Sequence, residues 1–211
     1  MKQDISIKTI STYIAIFFFT QNIICQTPIN VIQSNTLSQI IINDTTFQKF
    51  SGNVIIEYSD LTIKCDTILI DEDKVLMQGW GNTTIFNDTI HCTTDSMNIL
   101  QFENNIILYK NTIVKTDSMI IYSDEMEYNY KQKILKYFKG GNINMKNQNI
   151  TSTELIHDLN TEISHFNKNV SFASSEYIIE TESMTQKNDI ISFIGNTLIT
   201  HENTNIYCNK G

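Results

Sequence analysis

One octet of residues returns along the chain at a fixed interval, and this repeat constrains the fold more than any other feature of the sequence. Its central apolar position is occupied, in chain order, by Ile63, Cys92, Ile121, Ile150, Ile179 and Ile206. Successive copies are 29 residues apart, and the last is 27 residues after the fifth. Self-similarity this regular identifies a repeat architecture, in which each unit buries its apolar face against the next.

A second column of residues has the same period. Each octet is preceded by an asparagine, which is followed by alternating apolar or threonine residues. These asparagines are Asn53, Asn82, Asn111, Asn142, Asn169 and Asn196, each directly preceded by Gly or Lys. Gly and Asn tolerate positive φ, so the pattern predicts a turn at each of these positions. We expect three short strands per repeat and a ladder of stacked asparagine amides along the axis.

The residues between the turns alternate with a period of two, which is typical of half-buried β-strands. In the first unit Val54 and Ile56 lie on one face, followed by Leu61, Ile63 and Cys65, and then by Ile68 and Ile70 after a bend at Asp66 and Thr67. The chain has one proline, no arginine and many β-branched residues, a composition that favours strands. The sequence therefore predicts an all-β fold, while spacing alone does not separate a parallel coil from an antiparallel stack.

Stacked units of this kind would enclose a long, narrow apolar interior. Several methionines belong to it; we interpret them as residues that fill gaps in a core, and the alternative is an adaptable lining for flexible acyl chains. The candidate lining residues are Val54, Ile56, Ile63, Ile85, Met97, Val114, Ile121, Met126, Met145, Ile150, Phe172, Ile179, Met184 and Ile199.

The amino-terminal residues differ from the repeats. Residues 1–25 contain two lysines and the apolar run 13–19, which is typical of a cleavable signal peptide and short for a membrane span. Cys25 raises lipidation as an alternative, although Ile24 stands where a small residue is expected. Residues 26–45 are a polar lead-in with the strand-like segment 39–42, and we expect them to cap the repeats at 46–211.

Charge and motifs exclude several functions. The formal net charge of −8, without arginine or a basic run, argues against nucleic-acid binding. We expect all four histidines to lie on the surface, and no motif of a hydrolase, metalloprotease or phosphate loop occurs. Cys65, Cys92 and Cys208 are expected to be buried thiols, with a bridge between the first two as the alternative. We therefore expect no enzyme activity, no metal and no cofactor.

One carboxylate recurs at the bend of most units, and it leaves a second class of function open. These residues are Asp66, Asp95, Asp124, Glu154 and Glu182. Regularly spaced acids could line a groove that binds or cleaves polysaccharide, or could bind calcium. Because no second acid accompanies them in a constant position, turn chemistry explains them better. A purely structural, adhesin-like solenoid is a third reading.

Two motifs carry a resemblance to a known family. The segments Phe50-Ser-Gly-Asn-Val54 and Phe166-Asn-Lys-Asn-Val170, with the recurring octet, resemble the LptA/OstA-like (organic solvent tolerance) family of lipopolysaccharide transport. The likeness covers about residues 46–211. It implies a periplasmic β-jellyroll of stacked short antiparallel strands, about 29 residues per repeat, that shields the acyl chains of lipid A. An association with the outer membrane is a further expectation.

The resemblance also implies partners. Such proteins bind lipopolysaccharide and join end to end, with copies of themselves or with other β-jellyroll transport components. Unpaired strand edges at the two ends would favour pairing with a partner strand. The sixth octet breaks off at Gly211, so we expect the last rung to be completed by another chain or by residues beyond this sequence.

Overall fold

The computed structural model describes residues 28–71, 76–188 and 190–211, and within these ranges every regular element is a β-strand. The strands are Ile29–Gln33 (β1), Thr36–Ile42 (β2), Thr45–Tyr58 (β3), Leu61–Asp71 (β4), Leu76–Phe86 (β5), His91–Leu100 (β6), Asn105–Lys115 (β7), Ile120–Asn129 (β8), Ile134–Tyr137 (β9), Gly141–Met145 (β10), Gln148–Ser152 (β11), Glu154–Asp158 (β12), Ile163–Ala173 (β13), Ile178–Lys187 (β14), Ile190–His201 (β15) and Thr204–Lys210 (β16). The predicted all-β class is confirmed.

All strand pairs are antiparallel, and together the described strands form one sheet. Long strands that follow each other in the chain are hairpin neighbours, as in β3 to β8 and β13 to β16. This order excludes the parallel coil, because a parallel coil would pair each strand with its copy one repeat later. The predicted signal peptide and Cys25 lie outside the described residues.

Most repeats contain two long strands, and the fourth contains the four short strands β9 to β12, so the prediction of three short strands per repeat was wrong. β4 runs unbroken through the predicted bend at Asp66 and Thr67. The pairing of β4 with β5 shifts by one step between Lys64 and Thr67 and then continues. The same irregularity occurs in the middle of the neighbouring pairs. The bend is therefore a β-bulge, which turns the strand without ending its hydrogen bonding.

The bulges bend the sheet into two halves, and each long strand runs through both of them. The division becomes a physical split at β9 to β12, because β10 pairs with β11 while β9 pairs separately with β12. We call the part that contains Ile63, β10 and β11 half-sheet 1, and the part that contains Ile68, β9 and β12 half-sheet 2. Their inner faces contribute to one continuous core of buried side chains.

Left-handed backbone conformations build the bulges. Gly81 and Asn82 have φ of +78° and +48°, and Lys110 and Asn111 have +63° and +48° at the same place in the next unit. L-residues other than Asn and Asp rarely adopt such values, which explains the recurring Gly-Asn pair. At Gly81 a side chain would also collide with Asp66, since an added Cβ would lie 2.4 Å from its Oδ2 atom.

The asparagines do not form the predicted ladder. Three of them bond instead to the bend carboxylate of the strand beside them: the Nδ2 atom of Asn82 donates to Asp66 at 2.8 Å, and that of Asn111 donates to Asp95 at 2.9 Å. Asn196 likewise donates to Glu182 at 3.0 Å. Successive asparagines belong to alternate strands, so an acceptor on the intervening strand is closer than the next amide.

The lead-in residues extend the sheet. β1 pairs with the second half of β3, and β2, which contains the predicted segment 39–42, pairs with the first half. Together they occupy the place of one bent strand at the edge of the stack. Leu37 and Ile41 of β2 remain exposed.

Candidate functional site

A ladder of side chains runs through half-sheet 1 from one end of the stack to the other. In strand order it consists of Val31, Ile56, Ile63, Ile85, Cys92, Val114, Ile121, Ile143, Ile150, Phe172, Ile179, Ile199 and Ile206. From Ile56 to Ile179 no member is more than 4% exposed. At about 4.8 Å per strand, the ladder is roughly 55 Å long.

Half-sheet 2 supplies the opposite wall. Its ladder nearest the bend contains Phe50, Ile68, Gly79, Met97, Leu108 and Met126, and then Tyr137, Leu155, Phe166, Met184 and Phe193. The Met97 side chain fills the space left by Gly79, where an added Cβ would lie 2.8 Å from its Cε atom. This wall is more aromatic and more varied than the isoleucine wall.

The predicted lining residues all face this interior. Twelve of the fourteen are buried, namely Val54, Ile56, Ile63, Ile85, Met97, Val114, Ile121, Met126, Ile150, Phe172, Ile179 and Met184. The other two, Met145 and Ile199, are half-buried and pack against the same core. The interior is closed in this structure, because its side chains shield one another from solvent.

Sequence reasoning missed much of half-sheet 2. Ile68, Ile99, Leu135, Leu155 and Phe166 are buried in the same core but were absent from the candidate lining. The signal was present in the alternation beyond each bend. The alternation placed Ile68 and Ile70 on one face after the bend, but it did not show that this face closes over Ile63, so the corresponding residues of the other units were not included in the lining.

The two half-sheets are joined differently along their two long sides. At the bend every long strand passes continuously from one half-sheet to the other. On the opposite side, which we call the mouth, hairpin ends meet through side chains. The Tyr58 and Tyr130 hydroxyl groups lie 2.9 Å apart there, and the Nε2 atom of Gln186 donates to the Oε1 atom of Gln148 at 3.1 Å.

An ion pair strengthens the mouth at the Tyr58 end. Lys133 on the β8–β9 side binds the carboxylate of Asp60, which also accepts a hydrogen bond from Asn87 at 2.9 Å. Partial burial would raise the pKa of Asp60, but the hydrogen bond and charge of Lys133 outweigh it and lower that pKa. Burial raises the pKa of Tyr128 nearby, and the Asp60 charge adds to this effect.

His157 contradicts the prediction that all four histidines lie on the surface. It is 1% exposed, and its Nδ1 atom lies 2.9 Å from the Ser164 hydroxyl oxygen. Burial lowers the pKa of His157 to about 4, although the neighbouring Asp158 favours the charged form. The imidazole is buried because Leu155 and His157 alternate onto the inner face of β12. His91, His165 and His201 are exposed, as predicted.

The remaining reactive groups are used structurally. Cys65 and Cys92 are free and buried, and burial raises the pKa of both thiols to about 12. Among the acids at the bends, Glu154 forms an ion pair with Lys168. Three others, Asp66, Asp95 and Glu182, accept the asparagine hydrogen bonds described above. Within the described ranges, no three His, Cys, Asp or Glu side chains gather to hold a metal ion. No helix in those ranges could cross a bilayer.

These features define a class: a bent, antiparallel β-jellyroll of repeated strand pairs around a continuous apolar interior. The sequence model of the OstA-like protein family matches residues 26–182 of this chain. The chain belongs to the OstA-like family, which confirms the resemblance seen in its repeats.

Comparison with solved structures found LptH from Pseudomonas aeruginosa, described as the LptA homologous periplasmic component of the conserved lipopolysaccharide transport device. The two chains are 13% identical, and the TM-score is 0.44. The alignment covers 52% of this chain and 80% of LptH. A search of curated proteins found no match to this chain.

Proposed function

We propose that this protein carries lipopolysaccharide in the periplasm and shields its lipid A acyl chains between the two half-sheets. The observation that carries the proposal is the uninterrupted apolar ladder from Ile56 to Ile179, which no polar or charged side chain breaks. Membership of the OstA-like family points in the same direction.

The energetics favour a protein that binds acyl chains by burying them and does not alter them chemically. Burial of a twelve-carbon acyl tail contributes roughly 10 kcal/mol at about 0.8 kcal/mol per CH₂, before the cost of ordering the chain. Similar apolar side chains at every rung would also let a tail move along the ladder between sites of comparable affinity. A single tight pocket would hold the lipid in one place.

Because the interior is closed, a lipid must separate the half-sheets before it can enter. The bend resists separation, since covalent backbone crosses it in every long strand. The mouth is held by side-chain contacts such as those of Tyr58 with Tyr130 and Gln186 with Gln148. Entry from the mouth therefore breaks these hydrogen bonds and the ion pair of Lys133 with Asp60, each of small net value. It also separates apolar contacts between the two walls, which the acyl chain would replace.

The proposal extends to end-to-end assembly through the outer strands. Both ends of the described stack expose apolar side chains: Leu37 and Ile41 on β2, and Tyr207 with Ile206 on β16. An apolar strand edge with unpaired backbone groups favours addition of a partner strand. Slow backbone hydrogen exchange in both β2 and β16 of a protein that stays monomeric at high concentration would contradict this part of the proposal.

The function is tested by comparing two ligands of the purified protein. Lipopolysaccharide should bind and co-elute with the protein on gel filtration. The matched control is the same lipopolysaccharide after chemical removal of its acyl chains, which should not bind. Equal capture of both ligands would favour the alternative in which the protein binds polysaccharide. Failure to capture either one would refute a carrier function.

A further inference from the structure

One ladder on the inner face of half-sheet 2 changes from apolar to polar along the stack. Nearest the mouth it contains Ile70, Met77, Ile99, Ile106, Tyr128, Leu135, His157, Ser164, Gln186 and Ile191 in strand order. His157, Ser164 and Gln186 are consecutive and are 1%, 2% and 5% exposed. Three polar side chains thus replace the apolar lining at one place on the inner wall.

Gln186 is incompletely satisfied. Its Nε2 atom donates to the Gln148 side chain at 3.1 Å and to the Asn188 carbonyl oxygen at 3.4 Å. Its Oε1 atom is buried and accepts no hydrogen bond. Buried polar atoms almost always have a partner, so this acceptor remains available to a donor from outside the chain.

This glutamine is one of the residues that line a cleft of about 310 Å³. Ser164 and Gln186 line it from half-sheet 2, and Met119, Met145 and Gln148 line it from half-sheet 1. The cleft therefore lies at the mouth, where the apolar interior meets solvent. Among its lining residues, the charged ones are one lysine, Lys146, and one glutamate, Glu162.

The composition of the cleft limits what it could bind. A phosphate group would need several cationic donors, and here one lysine is balanced by one carboxylate. A purely apolar group would leave the Gln186 acceptor unpaired. A ring bearing hydroxyl groups meets both demands, because it donates hydrogen bonds from its edge and presents C–H faces to the Met119 and Met145 side chains.

We infer that this cleft, which we call the mouth subsite, binds a sugar ring through hydroxyl donation to the Gln186 side-chain amide, whose buried Oε1 atom becomes accessible when the hydrogen bond between Gln186 and Gln148 opens. The inference rests on the proposed function in one respect: an acyl chain in the interior would place its attached sugar at the mouth. The same hydroxyl chemistry would also serve a free oligosaccharide. The sugar source is therefore part of the test.

The experiment compares three probes by isothermal titration calorimetry with the protein lacking residues 1–25. Dodecyl maltoside carries a sugar and an apolar tail, dodecyl dimethylamine oxide carries the same tail without hydroxyls, and maltose carries the sugar alone. Both amphiphiles are used below their critical micelle concentrations. The variants are Gln186→Met and, as a matched control on the outer face of half-sheet 2, Gln78→Met.

Gln186→Met should weaken dodecyl maltoside binding at least tenfold and leave dodecyl dimethylamine oxide binding unchanged. Gln78→Met should change neither. Gln148→Met, from the opposite half-sheet, is a second variant at a half-buried position, and it should also weaken dodecyl maltoside selectively. If maltose binds with the same affinity as dodecyl maltoside, and Gln186→Met weakens both equally, the result would support the subsite and assign it to free glycans.

The outcomes separate the two proposals. Equal effects of Gln186→Met on both amphiphiles, or none on either, would overturn the mouth subsite while leaving the apolar interior intact. If neither amphiphile binds, the result counts against the lipid carrier. If maltose does not bind either, the mouth subsite is overturned as well.

Discussion

His157 should make the protein sensitive to mild acid. Burial holds its pKa at about 4 in the folded protein, against about 6.5 for an exposed histidine. Between these two values the unfolded chain binds a proton that the folded chain does not, so stability falls as the pH decreases from 6.5 towards 4. A shift of this size corresponds to roughly 3 kcal/mol of unfolding free energy.

Urea unfolding followed by circular dichroism between pH 4 and 7.5 would measure this loss. Carboxylates also titrate in this range, so the informative quantity is the difference between the wild-type curve and that of His157→Met. The variant cannot titrate at this position and should lose roughly 3 kcal/mol less between pH 7 and 4. His165→Met is the matched control, because His165 is exposed on the neighbouring strand.

A direct reading comes from the imidazole itself. In a nuclear magnetic resonance titration, the His157 ring signals should stay constant from pH 7 down to about 5 and change only near pH 4. Parallel stability curves for wild type and His157→Met would refute the reasoning. A His157 titration centred near 6.5 would refute it equally, because the ring would then be accessible to water.

The fold could be predicted from the sequence to the extent that its signals are local and repeated. The alternation around Ile63 and Ile121 correctly placed the inner face, because one strand face is enough to define it. The prediction of antiparallel pairing depended on the family resemblance, because the regular spacing of the repeats is compatible with parallel and with antiparallel strands. The asparagine contacts could not be derived, because Asn82 binds Asp66 of a strand whose position depends on the pairing.

The site was predictable on one wall only. Beyond the bend, the alternation placed Ile68 and Ile70 on one common face, and Met97, Met126 and Met184 were named as lining. The alternation did not show that this face folds over the first, so most of half-sheet 2 was missed. His157 and Gln186 were missed for another reason. An argument from hydrophobicity assigns polar side chains to the surface. Their burial becomes visible only when the neighbouring strands that cover them are known.

Two further predictions concern the bends and the inner face. Gly81→Ala should lower the free energy of unfolding by about 1–3 kcal/mol, because φ is +78° and the new Cβ would collide with Asp66. Lys110→Ala, at the equivalent bend, should stay within about 0.5 kcal/mol in the same urea assay. Ile179→Asp buries an unpaired carboxylate and should cost several kcal/mol in thermal unfolding, whereas Ile178→Asp, one residue away and 45% exposed, should be tolerated. Equal losses at the two isoleucines would contradict the assigned inner face.

Photo-crosslinking to lipopolysaccharide tests the central claim most directly. A small diazirine side chain would replace Ile121 or Ile150 on the inner ladder, with Tyr122 and Thr151 as neighbouring positions on the outer face. The account predicts lipid adducts from the two inner positions and none from the outer pair. Adducts from the outer positions alone, or from none of the four in a protein that captures lipopolysaccharide, would contradict storage of acyl chains between the half-sheets.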